Sequence, residues 1–377
     1  MDLELSDVQQ ELASTVARLL KTNYDAGKRD AILASDEGWS RDMWGKYAEL
    51  GLLGLPFSED VGGAGMGFAE VAVVMEEFGK TLVLEPYLAT VVLGGGLVNA
   101  AGTEEQKQEI LSGVSEGTTL LAFAGYEPEG RWSLDSPQTK ASQSGDSWTV
   151  SGEKIGVLGG DAAGYFVVSA AVDGGVGLFL VKGDDAGVTR NVATQADGLK
   201  SAAVLFKDAA AQRLGDGDAS AAIAKVIDEA TAAISAEAVG AMETSLTMTG
   251  EYLHTRVQFD APIGKNQALQ HRAADMYASL EGARSMALSA KLAVSGDGGP
   301  AAHKDVLAAK IVVNDAAKHI SQESIQMHGG IGMTMEYPIG HFAKRLTVIQ
   351  KTFDDQDGLV AALVAEGGLI EPKAWDA

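Results

Sequence analysis

The hydrophobic pattern of this chain changes twice along its length, and the order of the three patterns restricts the fold more than any other feature. Apolar residues recur at helical spacing in the first part, strand-like patterns run from Thr119 to Phe206, and helical patterns return from about Asp218. Helices and strands therefore do not alternate as they would in a parallel α/β sheet. The sequence predicts a mainly α protein with a middle β domain, and three domains spanning residues 1–118, 119–217 and 218–377.

Local signals predict the elements of each part. Ser6 and Gln9 form a capping-box pattern ahead of the first helix. Further N-terminal helices are predicted over residues 43–53, 68–78 and 106–111. In the middle part, residues 148–155 and 165–181 read as two hairpins, which favours an antiparallel barrel or sandwich over a dinucleotide-binding fold. A C-terminal four-helix bundle is predicted over residues 219–254, 266–294, 301–327 and 339–365.

Several sequence blocks, taken in one order, carry a family resemblance. They read VGGAG at residues 61–65, EEFG at 76–79, GTEEQK at 102–107, WTVSGEK at 148–154, RVQFDAPIGKNQ at 256–267 and QMHGGIGMT at 326–334. These blocks extend over essentially the whole chain and resemble those of acyl-CoA dehydrogenases. The resemblance implies a helical N-terminal domain, a β barrel or sandwich and a C-terminal four-helix bundle. It also implies an FAD cofactor and α,β-dehydrogenation of an acyl-CoA thioester.

The two C-terminal blocks imply one half of a cofactor site. In the family, they bind the adenosine diphosphate end of FAD across a subunit interface. The resemblance assigns this role to Arg256, Phe259, Gln267, Gln326, Gly329 and Gly330. A planar guanidinium suits a pyrophosphate, and glycines let backbone N–H groups approach the phosphates. Taken singly, the arginine would be a surface cation and the glycines only a turn.

The other half of the site departs from the family pattern. Residues 125–133 read GYEPEGRWS, so that Tyr126 replaces the threonine of a Thr-Glu-Pro segment and Trp132 is among the large residues that replace small ones. After Lys154, the family usually has a tryptophan and a hydroxyl residue against the flavin, whereas this chain has IGVL at residues 155–158. The sequence therefore predicts that the half of the site that holds the flavin ring is degraded.

The catalytic base is also in question, because removal of the α-proton requires a carboxylate. Many family members carry this glutamate after the Gly-Gly block, where a gapless count gives Gln350, and an amide does not take the proton. Others carry it on the first bundle helix, where the count gives Ala230, directly after Glu229. Glu229 is a candidate base only if the alignment shifts by one residue, about 100° around a helix; otherwise it belongs to an exposed acidic turn. Asp354 and Asp355 are weaker alternatives.

Composition restricts the partners and the compartment. The net charge of −23, from 52 acidic and 29 basic residues, disfavours nucleic acid and anionic membranes as partners. Cysteine is absent and the six histidines show no metal-ligand spacing, so no metal site is predicted. No segment approaches the roughly 20 apolar residues of a membrane helix, and the acidic start is unlike a secretory signal. A soluble cytoplasmic protein is predicted.

These observations lead to three hypotheses. In the first, the chain is an accessory subunit of a heteromeric acyl-CoA dehydrogenase. It would form a heterotetramer with a homologous partner that supplies the base and the flavin cradle. Some bacterial acyl-CoA dehydrogenases of steroid side-chain degradation pair two different subunits in this way. The expected electron acceptor is an electron-transfer flavoprotein. In the second, it is a complete homotetrameric dehydrogenase with an atypical base such as Glu229. In the third, it is a non-enzymatic CoA-binding or scaffold protein. The sequence does not identify the acyl group.

Overall fold

The computed structural model describes residues 4–296 and 298–369, which form two compact units. The bundle unit comprises Met1–Lys28, Phe68–Val83 and Thr231–Ala377, and the barrel unit comprises Arg29–Gly67 and Leu84–Ala230. Among the described residues, no helix combines the length and the apolar character needed to cross a membrane. The division into three domains remains a prediction.

Most helices appear where the apolar spacing predicts them, whereas those over residues 26–33 and 96–101 were not predicted. The helices are α1 (Asp7–Asn23), α2 (Ala26–Leu33), α3 (Arg41–Glu49), α4 (Phe68–Thr81), α5 (Gly96–Ala101), α6 (Glu104–Ser115), α7 (Ser220–Thr255), α8 (Gln267–Val294), α9 (Pro300–His328), α10 (Ile339–Ile349) and α11 (Gln356–Ala365). A π-helix, Leu88–Gly95, precedes α5. The predicted capping box at Ser6 and Gln9 is present, with both reciprocal hydrogen bonds formed.

One segment that was predicted to be a single helix forms two helices. The segment 339–365 is interrupted between Ile349 and Gln356, because Phe353 and Asp354 adopt positive φ angles of 65° and 133°. Such backbone angles are incompatible with a continuous right-handed helix. Asp355 then starts α11 as its N-cap, accepting a hydrogen bond from the Gly358 N–H at 3.1 Å.

The core of the bundle unit is built on close helix packing. Small and β-branched residues meet between α7, α8 and α9, among them Ala232, Ala290 and Val306. A methyl group on Gly240 would overlap the carbonyl oxygen of Glu76, so α4 and α7 approach each other at backbone distance. Buried charges add a second tie between helices. The guanidinium of Arg345 on α10 donates two hydrogen bonds to the carboxylate of Glu237 on α7, at 2.6 and 2.8 Å.

The barrel unit contains a closed sheet. Its strands are β1 (Leu121–Ala124), β2 (Lys140–Ser144), β3 (Ser147–Leu158), β4 (Tyr165–Val172), β5 (Gly175–Lys182), β6 (Val188–Thr194) and β7 (Lys200–Leu214), while a two-stranded ribbon of β8 (Val257–Gln258) and β9 (Ala261–Pro262) belongs to the bundle unit. Antiparallel pairs run β2–β3–β7–β5–β4, and one parallel pair, Lys140 with Ala171, joins β2 to β4 and closes the ring. β1 pairs with β4 in parallel and β6 pairs with β7. The prediction was an antiparallel barrel or sandwich, and the sheet is a barrel in which two of the strand pairs are parallel.

One of the two predicted hairpins is wrong. Ser151 and Gly152 do not form a turn, since β3 runs through them, with a register shift between Val150 and Gly152. The glycine has a packing role: a methyl group on Gly152 would overlap Thr139. The second hairpin, β4–β5, is confirmed, and its turn uses glycines with positive φ at Gly174 and Gly175.

Candidate functional site

Arg256 follows directly after α7 and presents an exposed cation. Its backbone is fixed, since its N–H donates to the Tyr252 carbonyl at 2.8 Å and its carbonyl accepts from Ile263 N–H at 2.9 Å. The side chain is exposed, and the described part of the chain offers its guanidinium no hydrogen bond or ion pair. A fixed backbone with an unengaged guanidinium suits the binding of an external anion.

Phe259 lies at the tip of the β8–β9 ribbon in a strained conformation. Both turn residues have positive φ, 50° at Phe259 and 63° at Asp260, the conformation of a hairpin turn that Asn and Gly normally occupy. The Phe259 side chain is 99% exposed. A fully exposed ring held by a strained turn is a common sign of a binding surface.

The remaining predicted residues of this half-site lie at the ends of α8 and α9. Gln267 is the first residue of α8 and Gln326 lies in the last turn of α9, both exposed. Gly329 ends α9 with a φ of 63°, which favours glycine, and a methyl group on Gly330 would meet no atom within 4 Å. The backbone here is open to a ligand.

An aromatic stack brings the arginine and the glycines to the same end of the bundle. The ring of Tyr252 stacks on His328 with centroids 4.5 Å apart. Arg256 lies one helical turn after Tyr252, and Gly329 follows His328 directly. We refer to Arg256, Phe259, Gln267, Gln326, Gly329 and Gly330 as the bundle-end residues. Their cation, exposed ring and open backbone fit a pyrophosphate joined to a flat apolar group.

The β1–β2 loop, residues 125–139 of the barrel unit, holds itself together through a buried ion pair. The fully buried Lys154 ammonium donates to the Gly125 carbonyl at 2.9 Å, to Glu127 Oε1 at 2.8 Å and to Ser169 Oγ at 3.1 Å. The same carboxylate accepts the backbone N–H groups of Gln138 at 2.6 Å and Thr139 at 2.9 Å. Glu127 therefore joins the two ends of the loop.

The titration of this pair follows from its surroundings. Burial lowers the pKa of Lys154 to about 8, although the Glu127 carboxylate acts in the opposite direction. Burial alone would raise the pKa of Glu127, but the hydrogen bonds from Lys154, Thr139 and Gln138 lower it to about 2. Both groups are thus charged at neutral pH and are fully engaged with each other.

The positions implied for the flavin ring do not fit that ring. Tyr126 contacts Trp132 edge to face, with centroids 5.2 Å apart, and its carbonyl accepts from Ile155 N–H at 2.9 Å. Gly156, in the segment after Lys154 where the resemblance implies a tryptophan, has a φ of 61°, and a Cβ added to it would meet no atom within 4 Å. A cavity of about 530 Å³ inside the loop has no aromatic residue in its lining, which includes Glu127 and Glu129.

The candidate bases differ in their surroundings. Glu229 is half-buried on α7, with its Oε1 3.9 Å from Lys225 Nζ, and burial raises its pKa. It therefore does not lie in an exposed turn, and it has the direction of pKa shift that a base near neutrality needs. Ala230, the next residue, is fully buried. Gln350 ends α10 and its amide donates to the Leu346 carbonyl at 3.0 Å.

The two aspartates after α10 are engaged in the backbone. Asp355 is the N-cap of α11, and the Asp354 carboxylate accepts from the Asp355 N–H at 2.7 Å. Within the described ranges, no cluster of three or more acidic, histidine or cysteine side chains is arranged to hold a metal ion. The buried Lys154–Glu127 pair and the Tyr252–His328 stack were missed by the sequence reasoning, because each joins residues far apart in the chain.

The fold and these sequence blocks define a class of protein. The chain matches the family description "Acyl-CoA dehydrogenase, N-terminal domain" over residues 6–118 and "Acyl-CoA dehydrogenase, C-terminal domain" over residues 201–351. It belongs to the acyl-CoA dehydrogenase family, whose members are FAD enzymes that oxidise the CH–CH bond of acyl-CoA substrates.

Particular relatives extend this assignment. YngJ, a probable acyl-CoA dehydrogenase of Bacillus subtilis (strain 168), is 33% identical over 354 residues, covering 90% of this chain and 92% of its own length. A chain of the ChsE4–ChsE5 complex from Mycobacterium tuberculosis superposes with a TM-score of 0.90 and is 25% identical, covering 97% of this chain and 98% of its own. A chain of a variant of the Tcur3481–Tcur3483 steroid ACAD has a TM-score of 0.88 and is 28% identical, covering 96% and 98%.

Proposed function

We propose that this chain is the accessory subunit of a heteromeric FAD-dependent acyl-CoA dehydrogenase. It supplies the phosphate half of an FAD site to a homologous partner subunit, and the partner supplies the flavin cradle and the catalytic base. One contrast carries this proposal. Arg256 is exposed and unpaired within the described residues, whereas the polar groups of the β1–β2 loop are engaged with one another.

Each bundle-end residue has a role in this proposal. Arg256 neutralises the pyrophosphate with parallel N–H donors, and Gly330, which has open space at its Cα, adds its backbone N–H group. The exposed Phe259 ring packs against an apolar part of the cofactor or of the partner. Held by the bundle-end residues, FAD would supply the acceptor for the hydride of the β-carbon of the acyl thioester. This chain's own contribution is to hold the cofactor and not to move the α-proton.

The relatives support the heteromeric form. Two of the solved structures similar to this chain, the ChsE4–ChsE5 complex and the Tcur3481–Tcur3483 steroid ACAD, each join two differently named proteins. By extension, we infer a cytoplasmic heterotetramer in lipid degradation, with a steroid side-chain acyl-CoA as substrate. Electrons pass on to an electron-transfer flavoprotein.

The test is to purify the chain alone and with a homologous subunit that carries the missing glutamate. We expect a colourless chain alone, and visible flavin absorbance together with acyl-CoA oxidation only in the complex. A yellow and active chain alone would instead support a homotetrameric enzyme with Glu229 as base. The raised pKa of the half-buried Glu229 favours that second candidate. A chain that never acquires flavin, with any partner, would be a CoA-binding or scaffold protein.

A further inference from the structure

Three rings form a triangular cluster at the bundle end. His328, the last residue of α9, stacks on Tyr252 of α7 with ring centroids 4.5 Å apart and contacts Tyr337, just before α10, in a tilted arrangement at 5.0 Å. Tyr252 and Tyr337 also contact each other edge to face at 6.2 Å. The ring cluster therefore joins the ends of three helical segments of the bundle unit.

The orientation of the His328 ring is fixed and its ring is neutral. Nδ1 lies 2.7 Å from the Ser324 carbonyl, and since a carbonyl oxygen only accepts, Nδ1 carries the proton. His328 is only 3% exposed and burial lowers its pKa. Its Nε2 has no hydrogen-bond partner among the described residues. The ring is therefore enclosed, and it acts on a ligand only through its neighbours.

Those neighbours are the bundle-end residues. The Tyr252 carbonyl accepts from the Arg256 N–H at 2.8 Å, so a shift of Tyr252 moves the arginine. Gly329 follows His328 and its N–H bonds back to the carbonyls of Gln326 and Ile325. A displacement of the His328 backbone would therefore also displace the backbone of Gly329 and Gly330 that follows it.

We infer that His328 is a positioning residue that sets the guanidinium of Arg256 relative to the backbone at Gly329 and Gly330. This inference rests on the proposed function, because it assigns the bundle-end residues to the phosphates of FAD. The inference implies energetic coupling between the two residues: His328 contributes to cofactor affinity only when Arg256 is present. A residue that only stabilised the fold would show no such dependence.

The experiment measures the Kd of FAD in the assembled heteromeric complex for His328→Phe, Arg256→Ala and the double variant. Phenylalanine keeps a ring in the ring cluster and removes the hydrogen bond to Ser324. We expect His328→Phe to weaken binding about tenfold and the double variant to bind about as weakly as Arg256→Ala alone, since contacting residues that act together are non-additive.

His319→Phe is the matched control. His319 lies on the same helix and its Nδ1 is 2.8 Å from Ser279 Oγ, so the substitution also removes one histidine hydrogen bond. It lies nine residues before His328, about 14 Å along the helix. We expect its Kd for FAD to stay within about twofold of that of the wild type.

The outcomes separate the two proposals. An unchanged Kd in Arg256→Ala would overturn the phosphate half-site itself, and with it the role of His328. A weakened Arg256→Ala with an unaffected His328→Phe, or with additive effects in the double variant, would overturn only the positioning role. If His328→Phe does not fold, Tyr252→Leu removes one ring and keeps the His328–Ser324 hydrogen bond. The same non-additivity with Arg256→Ala is then expected, and additivity would overturn the role.

Discussion

The bundle end and the β1–β2 loop both contain sequence blocks to which the family resemblance assigns a cofactor role, yet their charged groups have opposite surroundings. At the bundle end, Arg256 is exposed and finds no partner within the described residues. In the loop, Lys154 is fully buried and donates to three acceptors, while Glu127 accepts from both ends of the loop. The first region is open to a ligand, whereas the second stabilises itself.

This difference shows why motif residues alone do not identify a working site. Glu127-Pro128 and Lys154 are retained in the sequence, but a buried ion pair of this kind is a structural requirement of the loop. An exposed arginine has no comparable structural role, because removing it leaves no buried charge unpaired. The retained glutamate and lysine are therefore explained by folding, whereas folding does not explain the retained arginine.

The largest expected effect comes from removing the buried lysine of the loop. Lys154→Met leaves the Glu127 carboxylate buried with only backbone donors, which costs about 3–5 kcal/mol in the free energy of unfolding. Denaturant unfolding of the chain measures this. Lys46→Met, which breaks an exposed 2.7 Å pair with Asp42, is the control and should cost less than about 1 kcal/mol. Equal effects of the two variants would contradict the structural role of the Lys154–Glu127 pair.

The same pair predicts a specific acid sensitivity. The folded pKa of Glu127 is lowered to about 2 from an ordinary value of 4.5. Its stabilising contribution is therefore fully present above about pH 4.5 and is lost as the pH falls towards 2.

We expect the thermal unfolding midpoint of the wild type to fall more steeply between pH 5 and pH 3 than that of Glu127→Gln. Glu129→Gln, an exposed carboxylate in the same loop, is the control and should keep the pH dependence of the wild type. If Glu127→Gln loses stability as steeply as the wild type, the ionised pair does not stabilise the loop.

The direct comparison of the two regions uses FAD affinity in the heteromeric complex. Arg256→Ala removes charged hydrogen bonds and should weaken FAD binding by roughly 1.5–3 kcal/mol, about 10- to 150-fold. Trp132→Ala alters the loop and should leave the affinity within about twofold, since its ring already packs on Tyr126. Equal losses in the two variants would mean that the loop also contributes to this cofactor site.

Much of the fold was predictable because residues close together in the sequence determine where most helices and turns form. Helical spacing and the Ser6 capping box locate the helices, and the glycine pair at 174–175 locates the β4–β5 turn. The errors occur where contacts between residues far apart in the sequence determine the local structure. Gly152 forms no turn because Thr139 packs against it, and the break after α10 depends on non-glycine residues with positive φ.

The candidate site shows the same division. Arg256 and Phe259 are readable from a compact motif, although the strain in the Phe259 turn is not. The Lys154–Glu127 pair joins residues 27 positions apart, and the Tyr252–His328 stack joins two helices. Neither follows from spacing along one element, because each depends on how elements pack.

The smallest expected effect is that of substituting Glu229. Its size shows whether this chain supplies the catalytic base. In the reconstituted complex, Glu229→Gln should leave acyl-CoA turnover with an artificial electron acceptor within a small factor of the wild type. The reason is its place on α7: an ion pair with Lys225 within one helical turn, and the fully buried Ala230 at the position that the family motif indicates. Lys225→Gln is the matched control, because it breaks the same pair and leaves the carboxylate in place.

Loss of a true general base would lower turnover by at least about 10²- to 10⁴-fold. A fall of that size in Glu229→Gln, with flavin content and folding intact and with Lys225→Gln still active, would make Glu229 the base. The raised pKa of Glu229 would then be catalytic, because a half-buried carboxylate titrating closer to neutrality is a better proton acceptor. The contrast between a ligand-binding bundle end and a self-contained loop would survive, but the chain would be a catalytic subunit.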